Sequence, residues 1–145
     1  MKHIRNGNKQ KCRRSNKDSA RFARAFKDAS CRNSNVSLAN IVFKAMNGEG
    51  CHSYKTDLDF AIELDAFCAK KPSSIADLLL AYGFPKNREE KRTMDQNIAF
   101  AKMLKHALKH NSDASIGQIL AKVVMGDHYC SYHKDEDLIR GVEKL

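Results

Sequence analysis

The sequence predicts an all-α protein of about seven helices, in which two similar halves of three helices each are joined by a connecting helix. Apolar residues recur at helical spacing in successive segments of the chain. No segment alternates apolar and polar residues as a half-buried strand does. The chain also aligns with itself at an offset of 78, which pairs Arg14 with Arg92. A basic N-terminal arm precedes the first helix and completes the predicted architecture.

The self-alignment pairs residues 14–64 with residues 92–142 without a gap. Fifteen of the 51 pairs are identical, whereas unrelated sequences would share about three at ordinary residue frequencies. One identical pair, Gly48 and Gly126, lies between helical segments, so similar helix composition does not explain the match. We therefore predict an internal duplication whose two repeats share one core. The predicted divisions are an arm at 1–13, repeat one at 14–69, a connector at 70–91 and repeat two at 92–145.

Apolar stripes at i, i+3, i+4 and i+7 identify the first two helices of each repeat. The stripes of the first helices consist of Phe22, Ala25, Phe26 and Ala29 in repeat one and Phe100, Met103, Leu104 and Ala107 in repeat two. The stripes of the second helices consist of Leu38, Ile41, Val42 and Ala45 in repeat one and Ile116, Ile119, Leu120 and Val123 in repeat two. Each of these helices is expected to bury one face.

The ends of the helices have signals of their own. Capping-box patterns begin at Thr93 and Ser115. Gly48 and Gly126 follow the second helices, where a left-handed C-cap is expected. These signals place the first and second helices of repeat two to within a few residues.

The third helices are expected to start at Asp57 and Asp135, since aspartate is favoured in the first turn of a helix. Their predicted buried residues are Phe60, Leu64 and Phe67 in repeat one and Leu138, Val142 and Leu145 in repeat two. The connecting helix is predicted to start at Pro72 and Ser73 and to end at Gly83.

The basic residues are concentrated at the N-terminal end of the chain. Residues 1–27 contain ten Lys or Arg and one acid, Asp18, a net charge of +9, which equals the formal net charge of the whole chain. Such a segment favours a polyanionic partner, because each phosphate that it neutralises releases a condensed counterion. The alternative is a solvated tail that only aids solubility.

We predict phosphate contacts from basic residues of the arm and of the two first helices. They are Lys9, Lys11, Arg13, Arg14, Lys17, Arg21, Arg24, Lys27, Lys102, Lys105 and Lys109. The third helices are acidic, so the alternative is charge complementarity within each repeat and a soluble surface.

Three patterns have the spacing of metal ligands. They are the Asp-x-Asp pairs at 57–59 and 135–137, the His128-x-Cys130-x2-His133 cluster, and His106 with His110. The aspartates are also expected at helix starts, and neither histidine pattern is preserved in both repeats, so no metal or cofactor is expected. No nucleophile motif is present, which argues against an enzyme. A helix-turn-helix is also unsupported, because charged residues occupy its buried positions.

The sequence therefore predicts a small non-enzymatic protein that binds DNA or RNA, or a nucleoprotein complex, through phosphate contacts with little base readout. The alternative is a protein-binding module or inhibitor that docks on a protein or nucleoprotein complex, as a phage or mobile-element factor would. Five cysteines without CxxC spacing indicate a reduced, cytoplasmic protein. No apolar stretch is long enough to cross a membrane.

Overall fold

Six helices form the described part of the computed structural model, which comprises residues 13–48, 55–68, 91–126, 131 and 133–145. They are α1 (Asn16–Arg32), α2 (Leu38–Asn47), α3 (Asp57–Asp65), α4 (Met94–His110), α5 (Ile116–Met125) and α6 (Asp135–Glu143). No strand occurs among the described residues, so the all-α prediction is confirmed. No helix in these segments is long and apolar enough to span a membrane. The predicted connecting helix and positions 1–12 of the arm lie outside the described residues.

The helices of the first half (α1–α3) and of the second half (α4–α6) have the same lengths in the same order. α1 and α4 have 17 residues each, α2 and α5 have ten, and α3 and α6 have nine. Each helix of the second half also starts where the self-alignment places it, since the offset of 78 takes the first residue of α1, α2 or α3 to that of α4, α5 or α6. Residues paired by this offset therefore occupy the same position in corresponding helices.

A single hydrophobic core contains side chains from all six helices. Every predicted stripe residue of the first and second helices is buried except Ala45, which is half-buried. Of the residues predicted to be buried in and after the third helices, Phe67 and Leu145 are half-buried and the other four are buried. The helical periodicity thus identified the faces that enter the core.

The third helix of each half makes its larger contacts with the other half. α6 packs on α1 and α2, while α3 packs on α4 and α5. The most extensive helix pair is α1 with α4. Neither half therefore has a separate core, and the two halves interlock through their third helices.

Arg92, which precedes α4, joins the second half to the end of α1. Its Nη2 donates to the backbone oxygens of Ser30 and Asn33, at 3.0 Å each, and its Nη1 donates to the oxygen of Val36 at 2.6 Å. Nη1 also forms an ion pair with Asp57 at 3.0 Å, and both side chains are buried. The last carbonyls of a helix lack partners within the helix, so Arg92 supplies donors for groups at the end of α1.

Arg14 makes the same set of contacts in the opposite direction, with the corresponding residues of the second half. Its Nη2 donates to the oxygens of Leu108 at 2.6 Å and Asn111 at 3.2 Å. Its Nη1 donates to the oxygen of Ala114 at 2.7 Å and lies 3.4 Å from Asp135 Oδ2. Each half therefore caps the first helix of the other, as in an isologous interface where contacts are reciprocal.

One predicted capping box is complete and the other is half formed. Thr93 Oγ1 accepts from Gln96 N at 3.2 Å, and Gln96 Oε1 accepts from Thr93 N at 2.9 Å. Ser115 Oγ accepts from Gln118 N at 3.1 Å, but Gln118 Oε1 accepts from Ser131 N instead of from the cap. The side-chain oxygen of Gln118 that would complete the capping box therefore binds the loop before α6 instead.

The glycines predicted after the second helices occupy their C-caps. Gly48 has φ 80° and ψ −166°, and Gly126 has φ 102° and ψ 174°. The positive φ is as predicted, but ψ is extended, so the conformation is not the left-handed helical one. Only glycine adopts this region without strain.

Candidate functional site

A groove of about 270 Å³ lies between α1 and α4. The two helices are antiparallel, as Cys31 Sγ near the end of α1 lies 3.4 Å from Met94 Sδ at the start of α4. The apolar lining consists of Ala20, Ala23, Ile98 and Ala101, and the basic lining of Arg24, Lys27, Lys102 and Lys105. The apolar residues are buried or half-buried, whereas three of the four basic residues are exposed and Lys27 is half-buried. The groove therefore has an apolar floor and basic rims.

The residues that line the groove correspond in pairs, one from each side, and two of the four pairs are identical. Lys27 on α1 corresponds to Lys105 on α4, and Arg24 corresponds to Lys102, by the offset that relates the two halves. The apolar lining residues also correspond in pairs at this offset. The groove thus lies between the two helices whose C-terminal ends are bound reciprocally by Arg92 and Arg14.

We call the four basic residues the cation quartet. Lys27, Lys102 and Lys105 have no acidic residue beside them in the groove, whereas Arg24 also lies near Asp28 and Glu143. No acidic residue is among the residues that line the groove. The quartet also takes part in none of the salt bridges formed by the described side chains. Cations on neighbouring helices repel one another, so the site favours an anion that contacts both rims.

Comparisons with protein-family models, with curated proteins and with solved structures each return no match.

The structure brings together four of the eleven basic residues predicted from the sequence. These four are the cation quartet. Arg13, Lys17 and Lys109 are exposed but do not line the groove. Lys9 and Lys11 lie outside the described residues. Arg14 and Arg21 do not line the groove.

The predicted role of Arg14 as a phosphate contact is not compatible with its position. The residue is only 7% exposed, and its guanidinium donates to backbone oxygens, to Ser19 and to Asp135. Burial lowers its pKa, while Asp135 acts in the opposite direction. We therefore remove Arg14 from the candidate site and treat it as a structural residue.

Arg21 is turned away from the groove toward α6. It lies 3.0 Å from Glu136 and 3.7 Å from Glu143, so its charge is compensated. The hydrogen bond from Arg21 holds the pKa of Glu136 below its ordinary value, and the same bond raises the pKa of Arg21. The charge complementarity considered within each repeat thus forms between the halves, because α6 packs on α1.

A second, smaller pocket of about 120 Å³ lies between α1 and α6. Arg24 and Arg32 line it together with Arg21, but Asp28 and Glu143 also line it. The acids offset the arginines, so this pocket is a weaker anion site than the groove.

The metal-ligand patterns are largely occupied by structural contacts. Asp57 accepts hydrogen bonds from Leu38 N at 2.7 Å and from Arg92. The ring of His133 contacts Ser131 Oγ at 2.9 Å through Nδ1 and the backbone oxygen of Met46 at 2.7 Å through Nε2. The described residues contain no group of three His, Cys, Asp or Glu that could hold a metal. His128 and Cys130 lie outside the described residues.

Sequence reasoning missed the buried arginine–aspartate networks. The signal was present, because Arg14 with Arg92 and Asp57 with Asp135 are among the identical pairs of the self-alignment. A polar residue that is identical at corresponding positions of the two halves points to a shared structural contact. Charge counting alone assigned Arg14 to the surface.

Asp65, the last residue of α3, lacks the partner that its counterpart has. It is 7% exposed, and its Oδ1 has no hydrogen-bond partner among the described residues. Its counterpart Glu143 pairs with Arg21, but the position corresponding to Arg21 in the second half is Ala99. Burial raises the pKa of Asp65, and a negative charge at a helix C-terminus is unfavourable.

Replacing Asp65 by asparagine is therefore expected to stabilise the protein at pH 7, by about 1 kcal/mol. The folded protein binds the Asp65 proton more tightly than the unfolded chain, so this group favours folding at low pH. That contribution is lost as the pH rises from the ordinary pKa, 3.8, through the raised value. The measurement is the free energy of unfolding in urea from pH 3 to pH 7 for both proteins.

The advantage of Asp65→Asn is expected to disappear at the acidic end of this range. The control is Asp59→Asn on the same helix, because Asp59 is exposed in the first turn, where its charge is favourable. A lower stability of Asp65→Asn at pH 7 would contradict the interpretation.

Proposed function

We propose that this protein is a non-enzymatic nucleic-acid-binding protein whose cation quartet contacts backbone phosphates. The observation that carries the proposal is the position of the two basic helix faces, which line one groove with no acidic residue among its lining residues. If the two basic faces lay apart from each other, a role in solubility alone would account for them equally well. Convergence on one groove concentrates the positive potential where a polyanion can contact both rims.

The chemistry of the groove favours phosphates over bases. Lysine and arginine donate to phosphate oxygens, which positions a nucleic acid without reading its sequence. The described lining contains no aromatic ring on which a base could stack and no amide or carboxylate, so the four cations are its only side chains that could reach a base edge, and they do so specifically only at guanine in the major groove. We therefore expect binding with little sequence preference and a strong dependence on salt.

The basic arm is part of this proposal. The backbone N–H of Arg14 donates to the oxygen of Ser112 at 2.7 Å, so the segment that enters α1 passes beside the end of α4. Lys109, exposed in the last turn of α4, lies at this end of the helix pair. We propose that Arg13 and Lys17 extend the phosphate contacts beyond this end of the groove, and that Lys9 and Lys11, which lie outside the described residues, also contact phosphates.

We also propose that the chain arose by internal duplication of a three-helix unit. The support is the set of fifteen identities at one offset, the matching helix bounds and the reciprocal contacts of Arg14 and Arg92. The duplication would account for a quartet with two cations from each half.

The test compares the full chain with a variant in which the quartet residues Arg24, Lys27, Lys102 and Lys105 are all changed to alanine. Binding to mixed-sequence DNA and RNA is titrated at several salt concentrations. Each lost phosphate contact is expected to reduce the slope of log K against log salt by about 0.9 on a duplex, or about 3.6 for all four.

A matched control separates position from net charge. The variant in which Lys44, Lys122, Lys134 and Lys144 become alanine removes the same charge from residues that do not line the groove. It is expected to bind much more tightly than the quartet variant. Equal losses of affinity in the two variants would show that binding depends on net charge and not on the position of the groove. If the intact protein binds neither polymer at low salt, the proposal is wrong and the protein-docking alternative replaces it.

A further inference from the structure

We infer that the preferred ligand of the groove is a duplex, bound so that the axis relating α1 to α4 coincides with a local two-fold axis of the duplex. This inference rests on the proposed nucleic-acid function and names the form of the polymer. The cations on the two sides of the groove correspond in pairs. Lys27 and Lys105 are the same residue at corresponding positions, and Arg24 corresponds to Lys102.

The equivalence of the rims is enforced by the fold. Arg14 binds the end of α4 as Arg92 binds the end of α1, with the same donor atoms and corresponding acceptors. α6 packs on α1 as α3 packs on α4. The helices that carry the two rims are therefore held in corresponding positions, with the side chain of Lys27 half-buried and that of Lys105 exposed.

A duplex has the matching symmetry and a single strand does not. The two strands of a duplex run antiparallel, so their phosphates are related by two-fold axes perpendicular to the helix. Two-fold symmetric proteins exploit this by placing their own axis on that of the duplex. A single strand has one polarity, so the two rims would meet it in different ways.

The dimensions expected of any packed helix pair agree with this arrangement. Packed helices have axes about 8–10 Å apart, and the Cβ atoms of residues three apart on one helix are separated by about 5–6 Å. The minor groove of a duplex, about 6 Å wide in DNA, is bordered by one backbone on each side. One rim can thus contact each backbone, whereas single-strand binding relies on aromatic stacking that the described lining does not offer.

The experiment measures three variants of the full chain against three probes. The variants are Lys27→Ala, Lys105→Ala and, as a control outside the groove, Lys122→Ala, an exposed lysine on α5. The probes are a DNA duplex, an RNA duplex and a single strand, all of the same length and mixed sequence. The readouts are the dissociation constant and the salt slope.

Lys27→Ala and Lys105→Ala are expected to lose the same affinity for the duplex, to within about twofold, and each to reduce the salt slope by about 0.9. Lys122→Ala is expected to retain more affinity for the duplex than either of these variants. The unmodified protein is expected to bind the duplex at least about tenfold more tightly than the single strand. Comparison of the two duplex probes shows whether the protein prefers a DNA duplex or an RNA duplex.

Two outcomes overturn the inference while the proposed function stands. One is nucleic-acid binding in which the single strand is bound as tightly as both duplexes. The other is duplex binding in which the losses from Lys27→Ala and Lys105→Ala clearly differ, because that places the ligand off the axis. The absence of any binding by the intact chain at low salt instead rejects the proposed function itself.

Discussion

Replacing Arg92 by alanine is expected to lower the free energy of unfolding by about 3–5 kcal/mol. The variant leaves Asp57 as a buried charge without its cation and removes three donors from carbonyls near the end of α1. Unpaired buried groups of this kind cost more than the original pair contributes. Urea denaturation followed by circular dichroism measures the difference.

Arg14→Ala is expected to cost less than Arg92→Ala, because Asp135 is 30% exposed and remains partly hydrated without its cation. The double variant Arg92→Ala with Asp57→Ala is expected to recover part of the loss, since no unpaired carboxylate remains. Arg13→Ala, an exposed neighbour of Arg14, is the neutral control. A loss below about 1 kcal/mol for Arg92→Ala would show that the network is not a major source of stability.

Phe100→Ala is expected to be comparably destabilising, by about 3–5 kcal/mol. Phe100 is 1% exposed and joins the halves, with its ring centroid 5.1 Å from that of Phe60 and 5.8 Å from that of Phe26. Alanine leaves a cavity where α1, α3 and α4 meet and removes both aromatic contacts. A change of this size corresponds to a fall in Tm of roughly 6–20 °C for a chain of this length.

The control for Phe100→Ala is Met94→Ala on the same helix. Met94 is 58% exposed, so its truncation is expected to change stability by no more than about 0.5 kcal/mol. Equal effects of the two substitutions would contradict the assignment of Phe100 to the centre of the core.

Sequence periodicity predicted which face of each helix is buried but not which helix covers it. The stripe of α6, with Leu138 and Val142, is visible in the sequence because apolar residues recur at helical spacing. Its packing on α1 and α2 of the other half is not visible, because a stripe of aliphatic residues fits many partners. The packing of each third helix on the other half therefore could not be predicted from the sequence.

The candidate site was predicted in the same incomplete way. The sequence singled out the basic residues at helical spacing on α1 and α4, and the structure brings Arg24, Lys27, Lys102 and Lys105 to one groove. It could not separate them from Arg14 and Arg21, because a basic side chain has the same sequence signal whether it faces solvent, a carbonyl or a glutamate. Only tertiary contacts distinguish these environments.

The reciprocal capping by Arg14 and Arg92 has a consequence for biosynthesis. Helix α1 ends at Arg32, but the arginine that satisfies its terminal carbonyls, Arg92, belongs to the second half of the chain. At the usual rate of about 5–20 residues per second, the ribosome leaves the nascent first half without this partner for several seconds. The nascent first half is then a target for chaperones and proteases. Because α6 is the last of the described helices and packs on α1 and α2, these helices reach their final arrangement only after residues 135–143 have been synthesised.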